Sequence, residues 1–344
     1  MNHTEINSIK HLANYLRCDV TFLEDFLNGS IIVYDSRNWQ ETEFYNSIEN
    51  NSSISPVRIK RFYIPKKNRK LGYRIVHKVN TDTLSNILKG LNTNLSQLYK
   101  PPPCVHGFVA GRNIKTNAEA HLSKKYVVSL DIYSFFESIT KEMVINSLTD
   151  LHFNRVIAEY IGRIVTIDGH LIQGYNTSPT IANIVCKKMD AELSHFCGKS
   201  ITYTRYADDL YFSLDDYPPD VSTINSIIEK HGFIINPTKT KLMVRGQKQY
   251  VTGLTVFDNL YPRLPKRIKR NLRLETYYIK KFELVSHACR HLGYDISDYE
   301  SSQDIRLEVN FHSLSIRERL RGWIYFMNSI EPNVAEKLKD AIAK

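Results

Sequence analysis

Apolar residues recur at helical intervals near the start of the chain, at Ile6, Ile9, Leu12 and Leu16 and again at Phe22, Leu23, Phe26 and Leu27, which predicts two short helices. The polar run Glu49-Asn50-Asn51-Ser52-Ser53 ahead of Pro56 predicts a loop. From Val57 to Val79 the pattern changes to two strands around a basic turn at Lys66–Lys70, either a solvated charged hairpin or one that lies over phosphates. Leu84, Ile87, Leu88, Leu91 and Leu95 return to the helical period between Thr81 and Leu98, and Pro101-Pro102-Pro103 stops that helix. Tyr126 to Ile132 has the β-branched character of a buried strand but carries Asp131 at its end, where a carboxylate is costly unless neutralised or solvated.

Ser178-Pro179 predicts a helix start, with serine as N-cap and proline at the first helical position, and Ile181, Ile184, Val185, Met189 and Leu193 as the buried stripe. The aromatic and β-branched residues on both sides of Ala207-Asp208-Asp209 predict a β-hairpin with two acids at its tip. Beyond Leu260 the chain turns basic and continues in helical patterns. The fold class expected is α+β.

Composition changes this picture in two ways. A formal net charge of +10 over 344 residues points to a polyanionic partner, nucleic acid first, although a merely basic soluble protein has the same charge. Five cysteines, widely spaced and without a C-x-x-C pair, indicate neither a disulfide framework nor a zinc ribbon and fit a reducing cytoplasm. No stretch approaches the roughly 20 apolar residues of a membrane span, so neither secretion nor membrane insertion is expected.

Two adjacent acids at a turn repel one another and add nothing to a core, so Asp208 beside Asp209 needs another reason. A divalent cation supplies one. Magnesium takes one or two carboxylates together with substrate phosphates, which suits a turn able to approach the strand-end Asp131. Two such ions, held by Asp131, Asp208 and Asp209, suit an in-line phosphoryl transfer. A solvated Asp-Asp turn is the bland alternative.

The surrounding motifs bear on that choice. Tyr206-Ala207-Asp208-Asp209 resembles the YxDD box of reverse transcriptases, and Ser129 to Phe136 resembles their first carboxylate motif. Gln173-Gly174 through Ser178-Pro179 to Asn183 is similar to their QGxxxSPxxxN element, and His231-Gly232-Phe233 through Lys239-Thr240 to the element that follows it. All occur in family order. Asn117-Ala118-Glu119-Ala120-His121 and Val251-Thr252-Gly253 resemble the NAxxH and VTG elements of the retron-type enzymes. The chain departs from many relatives in carrying Tyr175-Asn176-Thr177 where they have a proline, which bears on substrate handling rather than on the reaction class.

The resemblance implies a right-hand polymerase fold: residues 1–55 an N-terminal helical extension, 56–255 fingers and palm with an antiparallel palm sheet, and 256–344 a helical thumb that binds RNA. It implies Asp131, Asp208 and Asp209 as catalytic acids, with the carbonyl of Ile132 completing a site for two Mg2+ ions. Arg74, Phe136, Gln173, Gly174 and Lys239 would contact the incoming deoxynucleoside triphosphate, with Phe136 as a gate against a ribose 2′-hydroxyl; Lys66, Lys67, Arg69 and Lys70 would assist Arg74. Lys266, Arg267, Lys269, Arg270 and Arg273, followed by Tyr277 and Tyr278, would bind structured RNA. The activity implied is copying part of a structured noncoding RNA into single-stranded DNA, as a branched RNA–DNA product, in antiphage defence with an effector protein from the same locus. The alternatives are a reverse transcriptase of another bacterial lineage, or an RNA-binding scaffold or antitoxin for an effector.

Overall fold

The computed structural model describes residues 2–45, 54–66 and 72–339. The loop expected at Glu49–Ser53 and the basic residues Lys67, Arg69 and Lys70 lie outside them. Packing divides the chain into two compact units, Met1–Asn113 with Val128–Leu242 and Ile114–Val127 with Met243–Lys344. This division differs from the contiguous segments read from the sequence, because residues 114–127 leave one unit to pack within the other.

The first unit begins with α1 (Ile9–Leu16), capped by Ser8, and α2 (Val20–Asn28), capped by Asp19. It continues with β1 (Ser30–Asp35), β2 (Glu41–Tyr45), β3 (Val57–Pro65) and β4 (Tyr73–Val79), which form one sheet in the order β2-β1-β3-β4. The helical N-terminal extension expected over residues 1–55 is therefore corrected: Ser30–Asp35 and Glu41–Tyr45 are strands. Ile31 and Val33 are buried while Ile32 and Tyr34 are less so, the period of two of a strand with one face on the core, and β1 pairs parallel with β3. β3 and β4 pair antiparallel from Ile59↔Val79 to Pro65↔Tyr73, as the sequence pattern predicts. α3 (Asp82–Leu98) buries all five predicted apolar positions.

After α4 (Ile114–Glu119) comes β5 (Tyr126–Asp131), then α5 (Phe135–Ser138), α6 (Lys141–Asp150), α7 (Arg155–Val165) and the small hairpin of β6 (Thr166–Ile167) with β7 (His170–Leu171). The helix expected at Ser178 is split into α8 (Ser178–Val185) and α9 (Lys187–Cys197). Its N-cap is Thr177 rather than Ser178, whose hydroxyl instead donates to the Ile172 carbonyl at 2.5 Å. β8 (Thr202–Tyr206) and β9 (Asp209–Leu214) form the predicted hairpin, followed by α10 (Val221–Lys230) and β10 (Lys241–Val244). The sheet order is β10-β5-β9-β8, with Val128, Leu130, Leu210 and Phe212 buried in the core.

In the second unit α4 packs against the hairpin of β11 (Tyr250–Val251) and β12 (Leu254–Thr255). The Thr252 hydroxyl donates to the Ile114 carbonyl at 2.9 Å, so the two short elements at 117–121 and 251–253 are neighbours. The rest is helical: α11 (Lys266–Phe282), α12 (Leu284–Leu292), α13 (Ile296–Ser301), α14 (Gln303–Ile330) and α15 (Pro332–Lys339). Val309, Ile316, Leu320, Ile324 and Met327 form the buried stripe of α14. The five cysteines are free thiols. Among the described residues no helix is long and apolar enough to cross a membrane.

Candidate active site

Strand β5 delivers Asp131 at its end, 5% exposed. Residues 234–236 are stitched beside it: the Tyr133 N–H donates to the Ile234 carbonyl and the Asn236 N–H to the Asp131 carbonyl, both at 2.7 Å. That stitch carries Lys239 to the acid, where its Nζ donates to Asp131 Oδ2 at 2.7 Å. The β8–β9 hairpin closes at the pair Tyr206↔Asp209, so Ala207 and Asp208 form its two-residue turn and Asp209 already lies in the strand. The Ile132 N–H donates to the Asp208 carbonyl at 2.9 Å, which ties the turn to the end of β5. Ala207 sits at φ 58°, a left-handed conformation that hairpin turns usually assign to glycine and that costs an alanine about 1–2 kcal/mol.

The acids feel one another. Burial, and then the charge of Asp131, raises the Asp208 carboxyl above its ordinary range, against the pull of Lys239 and Arg74. Burial again, followed by Asp208 and Asp131, pushes Asp209 up to about 7. Three carboxylates thus share a partly dry pocket with two nearby cations, Lys239 and Arg74, which leaves negative charge in surplus. Hard oxygen donors with unneutralised charge fit a magnesium-type ion. Among the described residues no three His, Cys, Asp or Glu side chains stand close enough to form a ready-made metal cage, so the three acids share a pocket without sharing a coordination sphere.

Beneath the turn lies a buried network that the sequence pattern did not single out. Arg205 and Asp190 are both 0% exposed; Arg205 Nε and Nη2 donate to the two Asp190 oxygens at 2.8 and 2.7 Å. Arg205 Nη1 donates to Asn183 Oδ1 at 3.1 Å and to the Ala207 carbonyl at 3.2 Å, and the Tyr203 hydroxyl donates to Asp190 at 2.8 Å. An arginine in a strand reads as a solvent-facing position, and its acid lies 15 residues upstream on α9, so no local signal marks the pair.

The other predicted residues separate into groups. Arg74 is exposed on β4 and near enough to Asp208 to favour its ionised form. Lys66 is exposed at the end of the same hairpin. Phe136 is partly buried in α5, its ring 5.4 Å from Phe135 and 6.4 Å from Phe108, an exposed aromatic not anticipated from the sequence. The Gln173 carbonyl accepts the His77 N–H at 2.8 Å. Gly174 has φ +115°, and a Cβ there would stand 2.3 Å from the His77 carbonyl oxygen, so the loop and β4 meet backbone to backbone. Tyr175, at the departure from the proline pattern, is buried in the core.

On α11, Lys266, Arg267, Arg270 and Arg273 are exposed. Lys269 is not: its side chain is 14% exposed and pairs at 2.9 Å with Glu331, itself 2% exposed. Its packing role accounts for the position without RNA. Tyr277 and Tyr278 are exposed further along the helix.

Comparison with known proteins adds the following. The family described as "Reverse transcriptase (RNA-dependent DNA polymerase)" matches residues 64–296. The Retron Ec83 reverse transcriptase of Escherichia coli is 30% identical over 304 residues, covering 81% of this chain and 85% of that protein. The Retron Mx162 reverse transcriptase of Myxococcus xanthus is 34% identical over 212 residues, 51% of this chain and 44% of that protein, and the Retron Mx65 enzyme of the same organism is 32% identical over 247 residues, 62% and 56%. The chain spans about half the length of these two Myxococcus relatives. A solved telomerase of Candida albicans, in complex with a telomeric RNA fragment, is similar at a TM-score of 0.44 and 13% identity over 83% of this chain and 66% of that one.

Proposed function

Since the chain belongs to the reverse transcriptase family, in its retron-type branch, and has that family's right-hand polymerase fold, we propose that it is an RNA-directed DNA polymerase acting on an RNA of its own locus. The single observation that carries the reading is that the turn bearing Asp208 and Asp209 is hydrogen-bonded to the end of β5, so that Asp131, 77 residues before Asp208 in the chain, is brought beside them in one partly buried pocket.

Asp131, Asp208 and Asp209, with the carbonyl of Ile132, would hold two Mg2+ ions. When bound, these supply the charge that activates a primer hydroxyl and neutralises the departing pyrophosphate. The chain's own part is orientation and proton handling. Lys239, which neutralises Asp131, would turn to the triphosphate once the acids are otherwise compensated and serve as a proton donor to pyrophosphate. Arg74 presents a planar fork to phosphate oxygens. Phe136 would lie under the sugar and disfavour a 2′-hydroxyl, while Gln173 and Gly174 shape the nucleotide pocket through their seat on β4.

The partner reading follows the exposed cations of α11. Lys266, Arg267, Arg270 and Arg273, with Tyr277 and Tyr278, would grip phosphates and stack on unpaired bases of a structured noncoding RNA. Its single-stranded DNA copy, joined to RNA, would be the product, and an effector protein from the same locus its partner in antiphage defence. The test is purification from cells expressing the native locus, followed by RNase, DNase and debranching treatment, beside Asp208→Asn. A small DNA joined to RNA and absent from the variant is expected. Bound RNA without DNA in either sample would defeat the reading.

A further inference from the structure

A buried arginine–carboxylate pair is a poor device for stability, because desolvating both ions offsets most of their attraction and an apolar pair of similar volume often serves as well. Arg205 and Asp190 are both fully buried in the first unit, so their geometry asks for another explanation. What distinguishes the site is its upper face. The guanidinium has Asp190 on two of its nitrogens, and the third reaches the carbonyl of Ala207, the residue that precedes Asp208.

We propose that Arg205 is a positioning residue: clamped by Asp190 and Asn183, it holds Ala207 in its left-handed conformation and so fixes the direction in which Asp208 is presented. This inference rests on the reading of Asp208 as a metal ligand.

Three observations converge on it. The turn has no glycine, and a left-handed alanine persists only where its surroundings hold it. The turn is also walled from a second side: a Cβ on Gly107 would stand 2.3 Å from the Ala207 nitrogen, so the 104–107 segment lies backbone to backbone against it. The Arg205 N–H donates to the Cys104 carbonyl and the His106 N–H to the Arg205 carbonyl, each at 2.8 Å. Asn183 joins the two supports, since its Nδ2 donates to the Gly107 carbonyl at 3.0 Å while its Oδ1 accepts from Arg205 at 3.1 Å. One asparagine on α8 thus sets the spacing between the floor of the turn and its wall. Lysine at 205 keeps the charge but lacks the planar fork that meets Asp190, Asn183 and Ala207 together.

The test uses the full chain and two readouts: Mn2+ affinity by electron paramagnetic resonance titration, and steady-state primer extension on a generic RNA template. Arg205→Lys is expected to weaken Mn2+ binding about 10-fold and to lower kcat about 30-fold or more, with KM for primer–template unchanged. Adding Ala207→Gly is expected to recover part of both losses, because glycine takes the left-handed conformation without being held. If Arg205→Lys does not accumulate as folded protein, Asn183→Ser, which leaves the ion pair intact, carries the same comparison. A variant whose Mn2+ affinity and kcat per folded molecule match the wild type, with only its melting midpoint lowered, would overturn the inference while leaving the polymerase reading in place. A wild-type chain that neither binds Mn2+ nor extends a primer would overturn the reading of the acids, and the inference with it.

Discussion

The β8–β9 turn and helix α11 carry charge in opposite ways. At the turn, acids are crowded into a partly dry pocket, each raising the burden on the next, and the backbone around them is held from several directions. On α11, cations stand apart in solvent and the helix beneath them is ordinary. Charges that act on reacting atoms need a fixed place, whereas charges that attract a polyanion need only to be available. The contrast also separates residues of one type on one helix, since Lys269 is spent on Glu331 while its neighbour Arg270 is free in solvent.

Substitution of the acids has the greatest consequence. Asp131→Asn is expected to reduce primer extension by about three orders of magnitude while circular dichroism and the melting midpoint stay near the wild type. A variant retaining a tenth of the activity would remove Asp131 from the chemistry.

The second test divides the two regions. Arg267→Glu, Arg270→Glu and Arg273→Glu together are expected to weaken binding of the cognate RNA by about 10- to 100-fold and to flatten its salt dependence, with generic primer extension much less affected. Equal losses in both assays would erase the distinction between an RNA-gripping helix and a chemical site.

Within α11, Lys269→Met is expected to lower unfolding free energy by about 3 kcal/mol, because Glu331 is left buried without its partner. Arg270→Met should change stability by less than about 0.5 kcal/mol. Denaturant titration of both proteins checks the pair, and similar midpoints would show that the two cations are equivalent after all.

A pH-dependent effect of modest size is expected at the β3–β4 hairpin. Burial, and then the Arg61 guanidinium, pushes the His77 imidazole down to about 4. Between that value and an unfolded value of about 6.5, the unfolded chain binds the proton and the folded chain does not. Stability therefore rises with pH across this window and is lost as pH falls through it. The contribution of His77 is about 1–2 kcal/mol after allowance for the solvent that still reaches the ring. Unfolding of His77→Gln at pH 7 and pH 4.5 is expected to show a smaller pH difference than the wild type, and an unchanged difference would remove His77 as its source.

What was legible in the sequence was what is local. The β8–β9 hairpin, the strand ending at Asp131 and the apolar stripe of α3 follow from short-range periodicity, and the acids stand in contiguous motifs. β1 was hidden because it is short and follows directly on the helical spacing that ends at Leu27, leaving only four residues of alternating burial to mark it. The support from Arg205 was hidden because its partners lie on α8, α9 and the 104–107 segment, which only the folded chain brings together. Gly174 was recognised as part of a motif, but that its lack of a side chain lets the loop touch β4 is visible only in three dimensions.

The bond network at Glu331 bears on how the chain can be shortened. Its carboxylate accepts the Leu264 N–H, just ahead of α11, at 2.8 Å as well as the Lys269 ammonium in the first turn, so the start of α11 is fastened from a point 62 residues beyond Lys269. A stop codon ahead of residue 331 would therefore act at a distance, loosening an upstream helix rather than merely trimming an end.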